Sequence, residues 1–208
     1  MATAQAALTP VANTAPAVVS IPAKELSGAA WVDRFPGKKD IDSCEGEFKS
    51  NITAFKAALD EAKADVKINA TYRPPERAYM MHWRWEIVNN AADPKSIPSM
   101  EGVNINWDHS DNQKSIKAAK EMVNGFEIGT LKTAPALDSR HTHREAIDMI
   151  ISWTGDLVIK NKDGTAVTIK SDPKTGMNTD LKAVGETYSV KKFVGGDKDI
   201  PHWSSTGH

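Results

Sequence analysis

The sequence predicts an α+β fold, one domain built on a mixed or antiparallel sheet flanked by helices. Apolar residues at helical spacing and apolar residues in alternation both recur along the chain. They follow no strict βαβ order, and two alternating runs flank Asp163-Gly164, a turn signal that marks a hairpin. A chain of 208 residues suffices for one well-buried domain with a tail. Residues 1–25 are rich in Ala, Thr, Val and Pro and uncharged before Lys24, so they read as a flexible leader, with the domain spanning 26–208.

Asp42 and Glu45 form a capping-box-like pattern ahead of Phe48, Ile52, Phe55 and Leu59, whose spacing predicts an amphipathic helix over 43–63. Gly46 weakens its first turn. Alternation over 65–72 predicts a strand, stopped by Tyr72-Arg73-Pro74-Pro75. Proline suits a first helical turn, so a helix follows over 76–92 with Tyr79, Met80, Trp83 and Ile87 on one side. Residues 93–111 read as loop, and 112–124 as a helix with Ile116, Ala119 and Val123 inward and Gly125 as its stop. A loop to Ser139 leads to a buried strand over 146–153. The hairpin pairs 157–160 with 166–170, a helix covers 177–186, and a last strand covers 188–194 before a final turn.

Composition narrows the function. Lys plus Arg total 26 and Asp plus Glu 27, so no basic excess points to nucleic acid. No apolar run approaches the ~20 residues of a membrane span. Pro10, Asn13, Thr14 and Pro16 interrupt the leader where a secretory signal needs a continuous apolar stretch. The single cysteine, Cys44, allows no intrachain disulfide and reads as a passive residue beside a helix. Any metal must then be held by nitrogen and oxygen, which suits zinc.

Three zinc-ligand-type residues stand in two short segments, His141 and Asp148 in one and His202 in Asp-Ile-Pro-His-Trp. Catalytic zinc takes three such His/His/carboxylate ligands and leaves one position for water. Asp199, three residues before His202, is placed to take a proton from that water, with Asp197 ranked behind it. Trp203 can pack the site wall, and Arg73 stands at a strand end, where scaffolds present functional side chains. The other histidines read differently: His143 as a solvent-facing loop residue, His82 as a half-buried helix residue, His109 with Asp108 as a loop pair, and His208 as a mobile terminus. Glu145 reads as surface. Most of the six tryptophans should be core or cleft wall.

The segment Ser139-Arg-His-Thr-x-x-x-Ala-Ile-Asp148 and the late Asp199-x-x-His202-Trp resemble the zinc D-alanyl-D-alanine peptidases. That family includes D,D-dipeptidases, D,D-carboxypeptidases and L-alanyl-D-glutamate endolysins, and shares its wider superfamily with Hedgehog signalling domains. Tyr72-Arg73 resembles the family's upstream Tyr-Arg, and order and spacing agree over residues 70–204. The resemblance implies a zinc-peptidase domain with Zn2+ on His141, Asp148 and His202, Asp199 as general base, Arg73 on the oxyanion, and Ser139, Tyr72 and Trp203 on the substrate side. The chain departs from the pattern at Arg144, where the family has glycine, so the turn there should lack glycine's freedom at positive φ. Asp199 replaces the commoner glutamate and is one methylene shorter.

The function so implied is a metallopeptidase, expected to be monomeric, cutting an amide bond in peptidoglycan stem peptides as carboxypeptidase or endopeptidase. Such a protein, made in the cytoplasm, would reach the wall or periplasm through holin release or dedicated export. Two other expectations stand beside it: a non-hydrolytic zinc- or wall-binding protein on the same fold, and a metal-free structural or secretion-associated module.

Overall fold

Alternation in the strands builds an antiparallel sheet whose two faces do different work. The computed structural model describes residues 23–126 and 131–208. Its elements are β1 (Glu25–Leu26), α1 (Gly46–Glu61), β2 (Asp65–Ala70), α2 (Pro75–Asn89), β3 (Ile105–Asn106), α3 (Asn112–Phe126), β4 (Ala146–Ser152), β5 (Leu157–Lys160), β6 (Ala166–Ile169), α4 (Thr179–Thr187), β7 (Lys191–Lys192) and β8 (His202–Ser204). The main sheet has four strands in the order β2-β4-β8-β7, every pair antiparallel. β5 and β6 form the expected hairpin, and β1 pairs parallel with β3. The fold is α+β.

On β4, Ile147, Met149 and Ile151 point to one face, where they join Phe48, Ile52, Phe55 and Leu59 of α1 and Leu181 and Val184 of α4 in one apolar core. Asp148 alternates onto the other face. α4 approaches closely because Gly185 has no side chain: a Cβ there would lie 2.8 Å from the Trp203 ring and 2.9 Å from the Val190 carbonyl. A second core joins α2 and α3 through Tyr79, Met80, Ile87, Ala119 and Met122, with Trp31 and Trp107 added from outside the helices. Among the described residues no helix is long and apolar enough to cross a membrane.

Several boundaries differ from the sequence expectation for local reasons. The expected leader lies outside the described residues through position 22, and ordered pairing begins at Glu25. No capping box forms at α1. Asp40 instead caps a 3-10 turn over Ile41–Ser43, accepting the Ser43 N–H at 2.8 Å, and Glu45 makes no side-chain cap. Gly125 lies inside α3 rather than ending it, since a Cβ would fall 2.7 Å from Val32; it serves close packing. The inward face of α3 is Ser115, Ala118, Ala119, Met122 and Phe126, with Ile116 and Val123 only half-buried. The last strand is shorter than expected, at Lys191–Lys192, and the final turn contains both a 3-10 turn, Gly196–Asp199, and a strand, β8.

Candidate metal centre

Strand register creates the site. Asp148 on β4 is the cross-strand partner of His202 on β8 and also of Ala70 at the end of β2. Residues at one level of adjacent strands share a face, so both side chains leave the sheet together, away from the apolar core. His141 comes from the turn just before β4, where its carbonyl accepts the Arg73 N–H at 3.2 Å. His141 and His202 are 4% and 5% exposed. The three ligand atoms form a nearly equilateral triangle: His141 Nε2 to Asp148 Oδ1 is 3.2 Å, His141 Nε2 to His202 Nδ1 is 3.2 Å, and His202 Nδ1 to Asp148 Oδ1 is 3.3 Å.

Hydrogen bonds on the far side of each ring assign the tautomers. His141 Nδ1 lies 2.6 Å from the Thr71 carbonyl, and His202 Nε2 lies 3.2 Å from the His208 backbone oxygen. A carbonyl oxygen can only accept, so these nitrogens carry the protons. Neutral rings so oriented turn bare lone pairs toward each other and toward a carboxylate. Three converging acceptors repel unless a cation, or a proton on one ring, lies among them. The group can therefore hold a metal ion, with backbone carbonyls orienting the imidazoles as outer-shell partners commonly do. Burial pushes the Asp148 carboxyl up, but where a ring proton is what lies among the three, the hydrogen bonds and charge of the protonated imidazole, His141 or His202, outweigh burial and hold Asp148 well below the usual carboxylate range.

A cavity of about 540 Å³ opens on the cluster, and its lining includes Arg73, Ser139, Phe193, Asp199 and the three ligand residues. Asp199 Oδ2 is 3.9 Å from His202 Nδ1. Burial, then the negative charge of Asp148, pushes the Asp199 carboxyl up against the opposing pull of His202, His141 and Lys192. Burial lowers the Arg73 guanidinium although Asp148 and Asp199 favour its charge. Ser139 Oγ is buried with no hydrogen-bond partner. His141, Asp148, His202, Asp199, Arg73 and Ser139 thus meet in one place.

Two expected site residues do not join them. Trp203 is fully buried on the core face, 5.5 Å from the Phe55 ring, because it follows His202 on a strand and the period of two sends it through the sheet. Truncating a buried ring of this size costs about 3–5 kcal/mol, so Trp203 is a stability residue and not a wall for substrate. Tyr72 is outside the cavity lining and lies beneath the Arg144 guanidinium, 3.8 Å from ring centroid to Cζ. Arg144 itself corrects the glycine argument, for it adopts φ 62 and makes the left-handed turn without glycine. Its side chain is tied down by Tyr72, by Glu45 at 3.1 Å and by the Ser43 carbonyl at 3.2 Å.

The remaining polar residues are accounted for. His143 pairs with Asp138 at 2.5 Å on the surface, and Glu145 with Arg140 at 3.0 Å. His109 meets Ser27 at 3.0 Å, and neither Asp108 nor Asp197 lines the cavity. His208 folds back, its backbone oxygen accepting from His202 and Ser204. Lys192 was not singled out by sequence. Its buried ammonium donates to the carbonyls of Ile200 and His202, the latter at 2.9 Å, and burial draws it down to about 8 against the charges of Asp199 and Asp148. Its one sequence signal is a lysine inside a short strand; the two carbonyls it grips leave no trace in side-chain identity. No protein-family model and no curated protein matches this chain.

Proposed function

We propose that the protein is a zinc-dependent peptidase that hydrolyses an amide bond of peptidoglycan stem peptides, on a domain of the D-alanyl-D-alanine peptidase type. The observation that carries this reading is the convergence of His141 Nε2, His202 Nδ1 and Asp148 Oδ1 beside Asp199 and Arg73. Tetrahedral zinc with ligands at about 2.0–2.1 Å has ligand atoms about 3.3 Å apart, and the observed edges are 3.2, 3.2 and 3.3 Å. The choice of peptidoglycan rests on the resemblance of the Ser139–Asp148 and Asp199–Trp203 segments.

Zinc held by these three residues supplies Lewis acidity and brings the pKa of water toward neutrality. Asp199 accepts the proton of the attacking water and returns it to the leaving nitrogen, so one carboxyl serves as base and then acid. The Arg73 guanidinium, which makes no hydrogen bond or ion pair with a described residue, is free to pair with the oxyanion that develops on the amide oxygen. Loss of one such donor slows turnover by about 10²- to 10³-fold. Ser139 Oγ, buried and unpartnered, is available to the substrate.

Mass spectrometry of purified sacculi digested with zinc-loaded protein tests this reading and identifies the bond cut. Asp199→Asn is expected to keep zinc and lose turnover, and His141→Ala to lose both. Near-normal turnover in Asp199→Asn removes the base assignment. Bound zinc with no new amine termini supports the non-hydrolytic binding protein instead.

A further inference from the structure

One wall of the same cavity is built from small residues. Ala134, Pro135 and Ala136 line it opposite no secondary-structure partner, in a stretch that is neither helix nor turn. The Pro135 carbonyl accepts the His82 ring N–H at 2.9 Å and so points toward α2. Nearby, the Trp85 indole N–H donates to the Leu131 carbonyl at 3.1 Å, tying the segment to the same helix. A residue before proline is pressed into extended conformation, and proline's own φ is fixed. In extended chain the N–H and C=O groups of successive residues alternate in direction. That alternation places the groups of Ala134 and Ala136 opposite the Pro135 carbonyl wherever the stretch is extended. Among the described residues their backbone groups make no hydrogen bond. Their methyl side chains leave the approach open.

We infer that Ala134–Ala136 is a docking edge that binds substrate as an extended peptide, by strand addition, alongside the metal cluster. Two unpaired residues at positions i and i+2 are what one edge of an antiparallel ladder offers, and at ~3.3 Å per residue they span about three residues of peptide. The site thus reads peptide backbone, and side-chain pockets are secondary. This rests on the peptidase reading and narrows its substrate to an extended backbone with free amide N–H groups.

The test uses the full chain with Asp199→Asn, zinc-loaded, and a synthetic stem pentapeptide as probe. Affinity is measured by calorimetry for the parent peptide and for analogues N-methylated at one backbone amide each. At least one analogue should bind about 3- to 10-fold more weakly for each bond it forfeits. Ala136→Pro, which deletes the Ala136 N–H, should weaken the parent similarly, whereas Ala136→Gly should not. Because the analogues leave the protein unchanged, misfolding of the proline variant does not blunt the test. If the parent binds and every analogue binds equally well, the docking edge is wrong and the peptidase reading survives. If the parent does not bind at all, both fall.

Discussion

Arg144 shows how much a single position can conceal. A non-glycine residue at positive φ costs about 1–3 kcal/mol and persists only where its surroundings hold it. Here the Tyr72 ring, the Glu45 carboxylate and the Ser43 carbonyl all grip the side chain, so the turn that delivers His141 is anchored by a residue that lacks glycine's freedom. Cys44 is the opposite case, an inert residue whose inertness has a measurable sign. Burial first, then the charge of Asp40, pushes its thiol up to about 11. An unfolded cysteine titrates near ~8.5, so the folded protein holds this proton more tightly. The stability this contributes is complete below ~8.5 and is lost as pH rises through about 11. At neutral pH the thiolate is suppressed by roughly two orders of magnitude relative to the unfolded chain. Alkylation of Cys44 should therefore be slow in the native protein and fast in denaturant, followed by mass; equal rates would contradict its burial.

At the scale of elements, the site depends on β4, β8 and the short β7 behind them. β8 has only three residues, and its pairing with β4 sets His202 against Asp148. Lys192 on β7 clamps both ends of the approach to that strand, the carbonyls of Ile200 and His202, and lies 5.2 Å from the Trp203 ring centroid. The lysine thereby positions Asp199 and His202 without touching the cavity. Lys192→Met keeps the aliphatic stem and leaves the Ile200 carbonyl unpaired, while the His202 carbonyl keeps only the Phe193 N–H at 3.1 Å. Removing an outer-shell partner commonly lowers metal affinity about 10- to 100-fold, and that loss is expected here by chelator competition. A denaturant melt should show a fall of about 1–3 kcal/mol from the unsatisfied Ile200 carbonyl. Unchanged metal affinity would reduce Lys192 to a packing residue.

For the whole molecule, a metal held by the cluster would couple binding to stability. A metal that binds only the folded state at 100 times its Kd stabilises it by about 2.7 kcal/mol, and in a domain of this size each kcal/mol moves Tm by about 2–4 °C. Calorimetry should show Tm rising by roughly 5–10 °C from chelator to excess zinc, and His141→Ala should abolish the difference. A Tm indifferent to zinc would mean that a ring proton, not a metal, reconciles the three acceptors. The sequence by itself determined the fold class, the apolar face of α1, Tyr79, Met80 and Ile87 of the α2 face and the β5–β6 hairpin, because period and turn chemistry are local. It also singled out His141, Asp148, His202 and Asp199, since ligand-type residues are recognisable by kind. Only the tertiary structure decided which groups complete the site. The Asp148–His202 register and the Thr71 carbonyl that orients His141 join segments far apart in sequence, and the Lys192 clamp, the His208 backbone oxygen on His202 and the passage of Trp203 into the core depend on how β7, β8 and the C-terminal turn fold against β4. Backbone oxygens are the same in every residue, and the face a side chain takes is set by pairing, so neither could be read from residue type.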